Sequence, residues 1–258
     1  MSFSLSRRGF FRLTAAAACP LCATAESAEP HGAGTPHWSY EGNGAPAQWG
    51  GLSPDFKTCA AGAEQTPIDL RGAIRAAPGP VTFGYQKMPL TVLNNGHTIQ
   101  VNTPPGNKIS IGGTAYELLQ FHFHHPSEHL LEGKSLAMEL HFVHKAANGA
   151  LAVVGVFLQP GAANPALTPI WNAMPEKAEP ARLVKDVTID PARLLPKERA
   201  YFRYMGSLTT PPCSEGLTWT VFRTPVQVSP EQIRMFGALF PMNARPPQAL
   251  GRRFLLES

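Results

Sequence analysis

Charge is scarce in this sequence. Only 16% of its 258 residues are Asp, Glu, Lys or Arg, against roughly 25% in an average soluble domain. Neither sign dominates: 22 basic residues stand against 18 acidic ones, a formal charge of +4. That excludes the concentrated basic surface a nucleic-acid partner needs. Beyond the N-terminus no apolar run approaches the roughly 20 residues that span a bilayer, so no membrane span is expected there. The signature of disorder, low hydrophobicity with high net charge, is also missing, since 43% of the residues are hydrophobic. Helical periodicity is rare. Turn formers are plentiful instead: 26 prolines and 23 glycines separate short apolar segments, as in a loop-rich, mainly β chain. The length suffices for one large domain with a real core, and no internal repeat or linker divides it.

Residues 1–25 carry the three parts of an export signal. Ser6-Arg7-Arg8-Gly9-Phe10-Phe11-Arg12 resembles the twin-arginine motif, an Ala-rich apolar stretch begins at Leu13, and Ala23-Thr24-Ala25 offers a small-residue cleavage site. The expectation is an exported, periplasmic protein whose working domain is 26–258. Arg7, Arg8 and Arg12 then account for most of the excess positive charge. Cys19 and Cys22 fall inside the signal, and the residues ahead of them fit a lipoprotein processing site poorly. In an oxidising compartment the remaining pair, Cys59 and Cys213, favours a disulfide over two separate buried thiols.

From His31 to Pro54 the chain is rich in Gly, Pro and Trp and reads as an extended arm that lays Trp38, Tyr40 and Trp49 on the domain surface. Strands are expected at Val81–Tyr85, Leu90–Asn94, Thr98–Asn102, Lys108–Ile111, Tyr116–His124, Ala137–His144, Leu151–Leu158 and Leu217–Phe222. The almost wholly apolar Leu151–Leu158 has the pattern of a central strand buried on both faces. Short helices are expected at Pro165–Ala173 and after Ser229-Pro230-Glu231, an N-cap followed by proline and acid.

Five of the nine histidines lie between positions 122 and 141. In a strand, alternate side chains share a face, so His122 and His124 point one way while Phe121 and Phe123 point the other. Glu139 and His141 repeat the pattern downstream. If the two strands are antiparallel neighbours, three imidazoles converge on one Zn²⁺ with the fourth position open, as in catalytic zinc sites. Gln120 and Glu139, each two residues before a histidine, are placed to accept its free N–H. His125, His129 and His144 face the other way or fall outside the strands. A second reading competes: His122-x-His124-x3-Glu128 also matches the start of a cupin motif, with the carboxylate as ligand and iron or manganese as the metal.

These stretches are joined by Trp38-Ser39-Tyr40, Gln65-Thr66-Pro67-Ile68-Asp69, Asn94-Asn95-Gly96-His97 and Ser127-Glu128-His129. Further on come Gly206-Ser207-Leu208-Thr209-Thr210-Pro211-Pro212-Cys213 and Asn243-Ala244-Arg245-Pro246. Taken in order, they make the sequence resemble the α-class carbonic anhydrases, of the exported bacterial type, over nearly all of the chain beyond the export signal. The resemblance implies one mainly β domain: a large twisted, mostly antiparallel sheet of about ten strands with short surface helices. It implies Zn²⁺ as cofactor and reversible hydration of CO2 to bicarbonate and a proton by zinc-bound hydroxide, with activated esters as side substrates.

Carried over residue by residue, the resemblance makes Thr209 the acceptor of the nucleophile's hydrogen bond and Glu128 the acceptor of the Thr209 proton. Val143, Val153, Leu208, Leu217 and Trp219, with Thr210, form the substrate pocket. His97 is the proton shuttle, and Tyr40, Asn95 and Gln100 hold the water path. Cys59 and Cys213 fall where exported bacterial members place their disulfide. Gln100 lies in a variable part of the cavity, and His125 and Pro126 crowd the end of the metal strand. A catalytically silent binding domain of the same family usually lacks one or more zinc histidines, whereas all three are present here. A cupin has no need of the Leu208–Pro212 stretch. Expected partners are CO2 and bicarbonate only, with no nucleic acid, in a monomer or homodimer.

Overall fold

The computed structural model describes residues 37–258; the expected export segment lies outside them. The described part opens with single turns, among them α1 (Trp49–Leu52) and α2 (Thr58–Ala61). Next come β1 (Asp69–Leu70), β2 (Ile74–Arg75), β3 (Val81–Gly84), β4 (Met88–Asn94), β5 (Ile99–Asn102), β6 (Lys108–Ile111) and β7 (Thr114–His124). The middle holds β8 (Leu130–Leu131), β9 (Met138–Ala146), β10 (Leu151–Pro160), α3 (Thr168–Trp171) and β11 (Glu179–Ile189). The chain ends with β12 (Tyr201–Ser207), β13 (Glu215–Phe222), β14 (Val226–Val228), α4 (Pro230–Leu239) and β15 (Leu256–Glu257).

One sheet dominates. It runs in the order β11-β4-β5-β7-β9-β10-β13-β12-β15-β2, with β3, β6 and β14 attached to its flanks, 13 strands in all. Pairing is mainly antiparallel; β10 is parallel to β13 and β14, and β15 to β2. All eight expected strands are present, and β10 sits centrally with both faces buried. Two long strands were not expected. β11 is solvent-exposed along almost its whole length and so lacks apolar alternation; its pairing with β4 alone makes it a strand. β12 alternates two aromatic residues with Arg203 and Met205, and follows a charged loop that blurs its start. The N-terminal arm also differs from expectation. Trp49 is fully buried, in a small core of its own with Phe56 and both cysteines, and Trp38 and Tyr40 pack against it.

The sheet's two faces do different work. One carries the main core, where Phe121, Phe123, Leu140, Phe142, Val154 and Val156 meet Trp171 of α3 and Phe236 of α4. The other carries Val143, Val153, Leu217 and Trp219 and, beside them, the histidines. A β-bulge in β7 between Leu118 and Gln120 creates this division. Tyr116 and Leu118 face the main core, as do Phe121 and Phe123. Without the extra residue Leu119, strict alternation would put His122 and His124 on that apolar face.

His144 is the one buried histidine on the core side of β9. Its Nδ1–H donates to Ala152 O (3.2 Å), and its Nε2 accepts from the Tyr85 hydroxyl (2.6 Å). Burial pushes its pKa down to about 3, against the pull of the Ala152 and Phe142 carbonyls. An unfolded chain protonates this ring near pH 6.5. Its share of stability is therefore complete above about pH 6.5 and lost progressively as the pH falls toward 3. At pH 4.5 the loss should reach about 2–3 kcal/mol. Urea unfolding of the wild type and of His144→Gln between pH 7 and 4.5 tests this; parallel pH dependences would refute it.

Candidate metal centre and active-site cavity

β7 and β9 pair antiparallel with His122 opposite His141 and His124 opposite Glu139. This register brings one nitrogen each from His122, His124 and His141 within 4.8 Å of one another. Each ring is fixed from behind. His122 Nδ1 donates to Gln120 Oε1 (2.8 Å), His124 Nδ1 to the Asn243 carbonyl (2.8 Å), and His141 Nε2 to Glu139 Oε1 (2.9 Å). These bonds select the tautomers and turn three lone pairs toward one point: Nε2 of His122, Nε2 of His124 and Nδ1 of His141. Nε2 of His124 is buried without any hydrogen-bond partner, a state that costs free energy unless something else fills it. Burial first, and then the neighbouring rings, hold His122 well below its ordinary pKa. Burial lowers His141 too, and takes His124 to about 4. Neutral imidazoles are the form a metal needs.

Glu139 is the hub behind the triad. Its Oε1 meets His141 and also His129 Nδ1 (2.7 Å), and its Oε2 accepts the backbone N–H groups of Glu128 and His129. Burial works to raise its pKa, but the His129 and His141 rings outweigh it and keep the carboxyl ionised. Gly155 lies opposite His141 on β10, and a Cβ there would sit 3.1 Å from Glu139 Oε1. His129 is buried and spends its other nitrogen on the Tyr204 hydroxyl (2.7 Å). It supports the triad from behind.

Glu128 behaves differently. Its Oε1 accepts the Arg245 N–H (2.9 Å), while its Oε2 is buried and closes no hydrogen bond. Burial pushes its pKa up to about 7, despite the opposing pull of His141, the Arg245 N–H and the Thr209 hydroxyl. Thr209 is itself buried beside it.

A cavity of about 100 Å³ opens over His122 and His124. Tyr40, Asn95, His97, Gln100 and Thr210 line it, together with Trp38. The His97 ring stacks flat on Trp38, with centroids 3.7 Å apart and planes at 8°. Gly96, at φ +86°, turns the chain between Asn95 and His97. Val143, Val153, Leu217 and Trp219 form one buried apolar cluster on the metal face, with Leu208 packed at its edge. Cys59 and Cys213 are joined in a disulfide. The structure thus brings the expected ligands, the cavity lining and the apolar wall to one face of the sheet, while His144 lies on the other.

Besides His129 and Tyr204, the sequence assigns no role to Asn243 and Arg245 of this region. Both were legible as a stretch, Asn243-Ala244-Arg245-Pro246, but no local pattern reveals contacts made across more than 100 residues.

Comparison with known proteins agrees with this geometry. The family described as eukaryotic-type carbonic anhydrase matches residues 44–257. A carbonic anhydrase of Nostoc sp. is 43% identical over 263 residues, covering 100% of both chains. One from Pectobacterium carotovorum is 46% identical, over 85% of this chain and 90% of its own. The α-carbonic anhydrase of Thermovibrio ammonificans, solved with sulfanilamide, superposes with a TM-score of 0.84 at 44% identity. That match covers 86% of this chain and 100% of the other.

Proposed function

The chain belongs to the eukaryotic-type, or α-class, carbonic anhydrase family, and on that footing we propose that it hydrates CO2 reversibly with zinc held by His122, His124 and His141. One observation carries this reading: three neutral imidazoles, each tied at its remote nitrogen, aim their free nitrogens at a single point. The donor set, three nitrogens with no thiolate or carboxylate, suits zinc with an open fourth position. Glu128 fits the cupin role poorly, because the three imidazoles gather as a group that does not include its carboxylate. Bound zinc supplies a nucleophile at neutral pH by lowering the pKa of a coordinated water to about 7.

The chain's own residues do the rest. Gln120, Glu139 and the Asn243 carbonyl keep each ring in its ligating tautomer, and the Glu139 anion makes His141 a stronger donor. Thr209 Oγ1 would accept a hydrogen bond from a metal-held hydroxyl while donating its own to the Glu128 carboxylate beside it, so that the threonine orients the nucleophile without losing its proton. The cavity therefore admits only groups able to donate to Thr209. Val143, Val153, Leu208, Leu217 and Trp219 give apolar CO2 a dry wall, with Thr210 at its side. Each turnover leaves a proton to discard. His97 takes it, since an imidazole titrates near neutral pH, although burial and the nearby His37 lower its pKa. Tyr40, Asn95 and Gln100 line the water path to it.

The Cys59–Cys213 bridge supports an oxidising location. No helix among the described residues is long and apolar enough to cross a membrane. The bridge favours export through residues 1–25 to the periplasm, with residues 26–258 as the working domain.

Stopped-flow CO2 hydration beside metal analysis tests the reading. Activity should vanish on chelation and return with zinc; a zinc-loaded but inactive protein would sink it, and iron without zinc would restore the cupin alternative. In the same assay His97→Ala should lower the maximal rate in weak buffer about tenfold or more, with rescue by imidazole. An unchanged buffer-limited rate would remove His97 from this role.

A further inference from the structure

Asn243 lies in an irregular C-terminal segment, yet only 1% of it is exposed, and it uses every polar atom it has. Its carbonyl accepts the His124 Nδ1–H (2.8 Å). Its backbone N–H donates to the His125 carbonyl (3.0 Å), and its Oδ1 accepts the His125 N–H (2.7 Å). The two protons on Nδ2 go to the carbonyls of His97 and Phe123, both at 3.0 Å. One residue thus spans the end of β7 and the turn that carries His97. An asparagine amide has two donors and one carbonyl to offer, and here all are engaged.

We propose that Asn243 is a positioning residue that couples the metal triad to the His97 turn, so that ring orientation at His124 and placement of the proton acceptor are set by one side chain. A backbone carbonyl can hold His124 only if something holds the carbonyl. The clamp on Phe123 and His125 does so, bracing residue 243 against the end of β7. The same amide then fixes the His97 backbone. Thr98 Oγ1 also ties that turn to the Phe123 carbonyl (2.5 Å) but does not reach the ligand. The inference rests on the zinc reading above, and it names how two parts of that site stay in register.

Asn243→Asp keeps the size but replaces Nδ2 and its two donors with one oxygen facing two carbonyls; Asn243→Ser keeps a single short donor. In both variants, loaded with zinc or cobalt, release of metal to a chelator should accelerate about 10–100-fold, and the visible spectrum of the cobalt form should change. Buffer-limited turnover should fall to the level of His97→Ala, and adding Asn243→Ser to His97→Ala should lower it no further. Wild-type metal release with an unchanged spectrum would overturn the proposal, as would rate losses that add to those of His97→Ala. If neither variant folds, amide exchange in the unmodified protein decides. Metal loading must then slow exchange in residues 95–98 as well as in 122–125, and slowing confined to β7 would overturn the coupling. Metal release does not depend on hydration, so an inactive wild type would refute the zinc-hydration reading while this arm still reports on Asn243.

Discussion

His124→Ala should lower CO2 hydration by at least about 10³-fold at neutral pH, because the pKa drop that makes water a usable nucleophile depends on a fully ligated metal. His124 is the most exacting of the three positions. Its ring is 1% exposed, its Nδ1 is committed to the Asn243 carbonyl, and its Nε2 has no partner of its own. Truncation removes one ligand of three and leaves the Asn243 carbonyl unpaired in a buried place, a further cost of about 1–3 kcal/mol. The fold should survive, since His124 lies outside the main apolar core on the far side of the sheet. The measurement is stopped-flow hydration at known zinc content, with a thermal melt to show the variant is folded. A folded variant within tenfold of wild type would mean that the reacting centre lies elsewhere.

The triad was legible because two strands carry it in plain alternation. Gln120, His122 and His124 on one strand and Glu139 and His141 on the other need only antiparallel pairing to meet, and the register supplies it. The bulge at Leu119 was not legible: the run from Tyr116 to His124 reads as one uninterrupted strand. Yet the bulge puts the histidines on the polar face. A buried face made most strands legible, but not β12, whose start is blurred by the charged loop before it. β11 was missed because burial imposes nothing on it. The Gly-, Pro- and Trp-rich arm around Trp49 carries no periodicity that signals burial; the burial of Trp49 depends on the disulfide and Phe56 packed around it. Asn243 and Arg245 act through contacts 119 and 117 residues away in sequence. No window of local sequence contains both ends of such a contact.

The Cys59→Ser/Cys213→Ser double variant should lose about 5 kcal/mol of stability, the largest single change expected outside the metal site. The bridge closes a loop with a sequence separation of 154, and in the chain-entropy model a loop of that size gives roughly 5 kcal/mol. Local contacts point the same way. Cys213 sits at φ 56° and donates its N–H to the Thr210 carbonyl (2.9 Å). Its own carbonyl accepts from Gln65 Nε2 (3.1 Å). The Cys59 carbonyl accepts from Arg245 Nη2 (2.9 Å), the residue whose backbone N–H fixes Glu128. The bridge thus holds the Thr209 turn and the Glu128 partner in one frame. Natural domains have only about 5–15 kcal/mol to lose, so the reduced protein should stand near its unfolding threshold and become stable only after oxidation. Denaturant unfolding of the zinc-loaded protein, bridged against double variant, measures the difference. A change under 1 kcal/mol would show that the small core around Trp49 holds the Thr209 turn without the bridge.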